Sequence, residues 1–160
     1  MSQTIVFILV IGIGSTIALD AWGIITTRIG WMQRTHWPSV GRWLLGIPAG
    51  RLVFDREDTS PNTAVESIAG WTFHYAVGIA YAMLFPLIWG TGFIATPTIV
   101  PFLLVGVVVS TLAGLVILMP AMGAGLFARK TPTPVAMIIY VLVAHVIFAA
   151  AQYFLALASA

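Results

Sequence analysis

Residues 135–157 read VAMIIYVLVAHVIFAAAQYFLAL and contain no Asp, Glu, Lys or Arg. A helix needs about 20 apolar residues to cross a hydrocarbon core of roughly 30 Å, and this stretch meets that requirement. Three further apolar stretches of sufficient length occupy residues 4–27, 66–89 and 98–127. The sequence therefore predicts an all-α, integral membrane protein with four spans, the third kinked or ended near Met119 by Pro120.

The overall composition agrees with a membrane protein and excludes several other classes. Of the 160 residues, 60% are hydrophobic and 8% are charged, whereas soluble domains carry about 25% charged residues. So few charges exclude a soluble globular domain, a disordered chain and a nucleic-acid-binding protein. The chain has no cysteine, which excludes disulfides, thiolate metal sites and cysteine nucleophiles.

The positive charges predict how the spans are oriented. All seven Lys and Arg residues fall in two connections, 28–65 and 128–134, and the segments on the opposite side carry none. Because cytoplasmic loops are enriched in Lys and Arg, both basic loops are expected in the cytoplasm and both termini outside, in the periplasm. Five residues are expected at the inner membrane interface, near anionic lipid headgroups: Arg42, Trp43, Arg51, Arg129 and Lys130.

The connection 28–65 carries two local signals for helices. Pro38 at a first helical position and Gly46 as a stop predict a short helix that lies on the membrane surface. Thr63 and Glu66 have the spacing of a capping box, in which each side chain bonds the other residue's backbone N–H. We expect that box to begin the second span.

Small residues predict the faces on which the spans meet. Lipid gives helices no hydrophobic reason to associate, so close packing through small residues holds membrane helices together. Each span carries a stripe of such residues, which indicates one four-helix bundle over residues 1–160. The glycines expected at helix contacts are Gly12, Gly23, Gly70, Gly78, Gly106 and Gly114.

Asp20, His74 and His145 are the candidate functional residues, because they are ionisable side chains inside the spans. They are expected about 8 to 15 Å from the inner ends, at 1.5 Å per residue. An aspartate at a helix centre costs about 2.5 to 3.5 kcal/mol on insertion scales, so a function is the default interpretation. Thr16 and Gln152 lie on the same stripes and complete the predicted ion, ligand or proton site. A structural hydrogen-bond network around Asp20 is the alternative.

Several functions remain open. The leading hypothesis is proton-linked binding or transport of a small solute or ion. The second is an accessory or assembly subunit of a larger membrane complex. The protein partners left open are such a complex or further copies of the chain in a homo-oligomer. The third is a redox subunit with a b-type haem between His74 and His145, which an absorption spectrum would detect. Met119 and Met122 are weak candidates for a soft metal. No catalytic motif is present, so an enzyme is the least favoured class.

Several segments together resemble a family of small bacterial inner-membrane proteins catalogued as domain of unknown function 2938. The segments that carry the resemblance are GSTIALDAW at 14–22, GRW at 41–43 with GR at 50–51, GWTFHYAVG at 70–78, PAMGAG at 120–125, TP at 131–132 and His145. The resemblance covers essentially the whole chain and implies a four-helix membrane fold and a bacterial inner-membrane location. It implies no activity, cofactor or substrate.

Overall fold

A computed structural model describes residues 2–160, and all of the regular structure within them is helical. Four helices are long and apolar enough to cross a membrane, as the sequence predicts. In chain order the helices are α1 (Gln3–Arg28), the short α2 (Trp37–Gly46), α3 (Ala64–Trp89), α4 (Ile99–Ala121) and α5 (Pro134–Ser159).

The start of α3 confirms the capping box. The Thr63 backbone N–H donates to Oε2 of Glu66 over 2.7 Å, and the Glu66 N–H donates to Oγ1 of Thr63 over 3.2 Å. These reciprocal bonds satisfy two backbone donors that a helix start otherwise leaves open. The second long helix therefore begins at Ala64, directly after Thr63.

The short helix α2 is present, and its last α-helical residue is Gly46, as predicted. A 3₁₀ turn over Ile47–Ala49 follows it. The chain turns at Gly50, whose φ is +78°, and the Arg51 N–H there donates to the Gly46 carbonyl. Because a left-handed φ is costly for residues with a Cβ, Gly50 is the residue suited to end this segment.

Helix α4 ends early, as Pro120 predicts, but its hydrogen bonding differs from that of a regular α-helix. It ends at Ala121, two residues after Met119, and does not continue to Phe127. The N–H groups of Gly123 and Ala124 donate to the carbonyls of Pro120 and Met119, and Gly123 has φ +74°, which together make a Schellman ending. Within the helix, Leu103–Val109 and Gly114–Leu118 have π-helical hydrogen bonds. Wide turns of this kind are rare and are frequent at functional sites.

The chain forms two compact units, and the first contains residues 2–34, 75–111 and 142–160. In it, segments of α1, α3, α4 and α5 pack around an apolar core. The aromatic centre is Phe85 against Phe102, with ring centroids 4.4 Å apart. Nine buried residues form this core: Phe7, Ile11, Ala82, Phe85, Phe93, Ile94, Phe102, Val105 and Ala156.

The second unit contains residues 35–74 and 112–141. It holds α2, the first part of α3, the end of α4 and the start of α5. Val40 of α2 and Ala128 of the connection between α4 and α5 are fully buried. The segment after α2 is fixed to the end of α4, because the Phe54 N–H donates to the Ala121 carbonyl over 2.7 Å.

Candidate functional site

In the first unit, Asp20 of α1 is hydrogen-bonded to α3. The Tyr75 hydroxyl donates to Oδ2 of Asp20 over 3.0 Å, and both residues are half-buried. The two helices lie very close about two turns from Asp20 along α1 and one turn from Tyr75 along α3, where a Cβ placed on Gly12 would be 2.7 Å from Cα of Ile79. Only a glycine fits such a backbone approach. The small-residue contact therefore places the aspartate within reach of the phenol.

Thr16, which the sequence placed beside Asp20, bonds its own helix. Its Oγ1 donates to the Gly12 carbonyl over 2.7 Å, and the residue is 1% exposed. The same hydroxyl lies against the Cα of Gly78, where a Cβ would collide with it. Thr16 thus helps to form the contact between α1 and α3, and Tyr75 supplies the hydroxyl for Asp20. Sequence reasoning missed Tyr75, although a phenol inside a span needs a hydrogen-bond partner.

His145 of α5 faces α4 in the same unit. Its Nδ1 lies 3.1 Å from Oγ1 of Thr111. One turn further along α5, a Cβ placed on Gly106 would be 2.9 Å from Cα of Ala149, so the two helices are in close contact. The α4–α5 contact therefore brings an imidazole and a hydroxyl together inside the first unit.

Gln152 lies beside that contact without a hydrogen-bond partner. It is 0% exposed, and among residues 2–160 neither Oε1 nor Nε2 of its amide finds a donor or acceptor. Oε1 occupies the space beside Gly106, where a Cβ would be 2.5 Å from it. An unpaired buried amide costs free energy, about 1 to 3 kcal/mol for each unsatisfied group.

In the second unit, His74 of α3 stacks on Trp37 at the start of α2. The ring centroids are 3.8 Å apart and the planes differ by 18°. The stack is possible because α2 crosses α3 at two glycines: a Cβ on Gly41 would collide with the Glu66 carbonyl, and one on Gly70 with the Trp37 carbonyl. Trp71 lies edge-on to the same imidazole, 6.0 Å away. Two indole rings, those of Trp37 and Trp71, therefore contact the His74 imidazole.

Arg42 of α2, predicted at the lipid interface, binds acidic residues of the protein. Its Nε lies 2.9 Å from Oε1 of Glu66 and its Nη2 lies 3.1 Å from Oε2, a two-point contact. Nη1 is 3.2 Å from Oδ2 of Asp58, and Nη2 also donates to the Pro61 carbonyl over 2.8 Å. The guanidinium thus links α2, α3 and the segment between them.

The hydrogen bonds and opposite charges among Arg42, Asp58 and Glu66 favour the ionised form of these side chains. Hydrogen bonding to Glu66 raises the pKa of the Arg42 guanidinium above its ordinary value. Hydrogen bonds from Ser60 lower the pKa of the Asp58 carboxyl, and the nearby Arg42 charge lowers it further. Both groups therefore stay ionised over the physiological pH range, and the ion pairs persist there.

The other predicted interface residues have different environments. The Trp43 indole N–H donates to the Leu52 carbonyl over 3.0 Å, and Arg51 lies beside Gly46. Arg129 and Lys130 are exposed in the connection between α4 and α5. Of the weak metal candidates, Met119 lies in the last turn of α4 and Met122 follows its end. Within residues 2–160, no three His, Cys, Asp or Glu residues group together as a metal site would require.

Each of the three ionisable residues of the spans has at least one defined contact. Asp20 has Tyr75, His145 has Thr111, and His74 has Trp37. Asp20 and His145 belong to the first unit and His74 to the second.

A family model described as protein of unknown function (DUF2938) matches residues 9–159, nearly the whole chain. No curated protein and no solved structure matches the chain.

Proposed function

The chain belongs to the DUF2938 family of proteins of unknown function, and we propose that it binds and releases a proton at Asp20 as part of the binding or passage of a small solute or ion. The observation that carries the proposal is the hydrogen bond between Tyr75 and Asp20, which joins two apolar helices. It gives the membrane-embedded carboxylate a defined partner on a second helix.

The free-energy cost of placing Asp20 in a membrane helix supports a functional role for this residue. A purely structural contact between α1 and α3 is already made by Gly12, Gly78 and Thr16, which need no charge. Asp20 adds an ionisable group at a further cost of about 2.5 to 3.5 kcal/mol on insertion scales. The Tyr75 hydroxyl lowers that cost for the ionised form, since a carboxylate accepts from a phenol. A movement that separates α1 from α3 would break the hydrogen bond from Tyr75 and favour the protonated Asp20 carboxyl. The position of the two helices is therefore coupled to the charge of Asp20.

His145 and Gln152 are the second part of the proposal. Both lie on α5 in the same unit, at positions i and i+7, so they share one face of that helix. That face packs on α4, where the π-helical turns Leu103–Val109 lie. An imidazole and an unpaired amide beside an irregular helix suit the binding of a small polar solute.

Proton flux into liposomes tests the proposal. Purified protein is reconstituted with a pH-sensitive dye inside, and a potassium diffusion potential drives protons inward. We expect the wild-type flux to be lost in Asp20→Asn, which keeps the size and removes the charge. Asp55→Asn, at an exposed loop carboxylate, is the matched control and should leave the flux unchanged. An equal flux in Asp20→Asn, or no wild-type flux, would contradict the proposal. An absorption spectrum of the same sample tests the haem alternative.

We also propose the orientation and location. The basic connections 28–65 and 122–133 lie in the cytoplasm and both termini lie outside, in a bacterial inner membrane. The support is the sorting of all seven Lys and Arg residues to one side of the four apolar helices.

A further inference from the structure

Three basic side chains gather around one glycine-containing turn in the second unit. The turn follows α4, with Gly123 at φ +74° and Gly125 at φ +76°. The stem of Arg56 lies directly over the first glycine, because a Cβ on Gly123 would be 2.9 Å from Cδ of Arg56. The stems of Arg129 and Lys130 lie over the second, each with Cγ 3.0 Å from a Cβ placed on Gly125.

The local backbone holds these stems in place. The Lys130 N–H donates to the Ala124 carbonyl over 2.8 Å and closes the turn. The segment that carries Arg56 is fixed to the end of α4 by the hydrogen bond from the Phe54 N–H to the Ala121 carbonyl. Two residues apart, the two glycines are separated by at most about 7 Å. The long side chains above them can therefore reach one common anion.

The acidic side chains that the structure describes do not pair with these three cations. Among residues 2–160, no carboxylate lies within ion-pair distance of Arg56, Arg129 or Lys130, in contrast to Arg42. The acidic neighbour Asp55 turns its carboxylate to the Glu57 backbone N–H, 2.9 Å away. All three cationic residues are exposed, so their charge is open to a ligand from outside.

The same turn presents apolar side chains beside the cations. Leu126 is 41% exposed and Phe127 is 43% exposed, while Ala128 is fully buried. Phe127 and Ala128 have φ of +51° and +57°, which side chains with a Cβ rarely adopt. In this left-handed conformation the Ala128 side chain is buried and the Leu126 and Phe127 side chains are exposed. The connection is short and joins two membrane-spanning helices, so it lies at the headgroup level.

We infer that the turn 123–130, together with Arg56, binds the phosphate of an anionic phospholipid. The guanidinium groups of Arg56 and Arg129 donate to the phosphate oxygens, and the Lys130 ammonium adds a third charge. Leu126 and Phe127 contact the upper part of the acyl chains. The combination of apolar and cationic side chains favours a lipid over a free phosphate compound, which would use only the charges.

Native mass spectrometry of the detergent-purified protein tests the site. Phosphatidylglycerol and phosphatidylcholine are titrated separately, and the bound fraction is measured for each lipid. We expect preferential binding of phosphatidylglycerol, reduced roughly fivefold by each of Arg56→Gln, Arg129→Gln and Lys130→Gln, from about 1 kcal/mol per basic residue. Arg34→Gln, at an exposed arginine outside this turn, is the matched control.

The outcomes separate a defined site from general surface charge. Unchanged binding in Arg34→Gln with losses in the three variants supports the site. Equal losses in all four variants, or equal binding of the two lipids, would overturn it. Inorganic phosphate is added in a competition arm. Displacement of the lipid at millimolar phosphate would show that the site takes a free anion and would contradict the lipid assignment.

Discussion

Glu66 and Arg42, 24 residues apart, are joined by two parallel hydrogen bonds of 2.9 and 3.1 Å. The same Glu66 carboxylate accepts the Thr63 N–H that begins α3. One side chain therefore both caps a membrane helix and holds α2 against it. The contact gives the connection between α1 and α3 a fixed attachment to α3.

Glu66 variants should separate these two roles. Glu66→Gln keeps an acceptor for the Thr63 N–H but loses the charge that pairs with Arg42. Glu66→Ala loses both. We expect protease cleavage within residues 47–63 to rise in Glu66→Gln, because the weaker contact with Arg42 lets α2 detach from α3. Cleavage should rise further in Glu66→Ala, because the start of α3 then also loses its cap. Equal cleavage in the two variants would contradict a separate contribution from the cap.

Gly70→Ala should destabilise the protein. The added methyl group would collide with the Trp37 carbonyl, and overpacking of this kind costs typically about 1 to 3 kcal/mol. The gain in helix propensity, about 1 kcal/mol, offsets only part of that cost. The readout is the thermal unfolding midpoint in detergent.

Gly14→Ala is the matched control for Gly70→Ala. There the nearest atom to a new Cβ is Cδ1 at the tip of the Leu155 side chain, which can rotate away. We expect a midpoint close to that of the wild type. A Gly14→Ala midpoint as low as that of Gly70→Ala would show that the backbone contact between α2 and α3 is not what makes Gly70 necessary.

Gln152→Met should stabilise the protein, because it removes two unpaired polar atoms and nearly keeps the side-chain shape. The expected gain in unfolding free energy is about 1 to 3 kcal/mol. Gln152→Glu should have the opposite effect, since it would bury a charge at the same position. A lower stability of Gln152→Met would mean that the amide has a partner in the membrane. Urea unfolding in mixed micelles measures both changes.

The proposed orientation can be tested directly because the chain has no cysteine. Single cysteines can be placed at exposed positions in opposite connections, Thr59→Cys and Gly92→Cys. No native cysteine has to be replaced first. In intact cells, a membrane-impermeant maleimide should label Gly92→Cys and leave Thr59→Cys unlabelled until the cells are lysed. The reverse pattern would place the basic loops outside.

The spans and the capping box were predictable because they depend on residues close in sequence. A run of apolar residues predicts a membrane helix by its length alone, and Thr63 and Glu66 are only three residues apart. The end of α4 was predicted in part, because Pro120 indicated a kink or an end near Met119. The apolar pattern continues to Phe127, but the left-handed Gly123 ends the helix at Ala121.

The partners of the polar residues could not be predicted in the same way. Tyr75 is 55 residues from Asp20 and Arg42 is 24 from Glu66. Such pairs depend on how each helix is rotated, which the small-residue stripes fix only approximately. Two residues of the α1 stripe, Gly12 and Thr16, lie at the contact with α3. The stripe does not show which acceptor the Thr16 hydroxyl bonds, and in the structure that acceptor is the Gly12 carbonyl.

The central claim is that Asp20 exchanges a proton in contact with Tyr75. Infrared difference spectroscopy between two pH values measures protonation of carboxyl groups directly, and the chain has only five Asp and Glu residues. We predict a carboxyl band that disappears in Asp20→Asn and shifts in frequency in Tyr75→Phe, which removes the hydrogen bond alone. A difference spectrum in which Asp20→Asn leaves every carboxyl band in place would contradict the account.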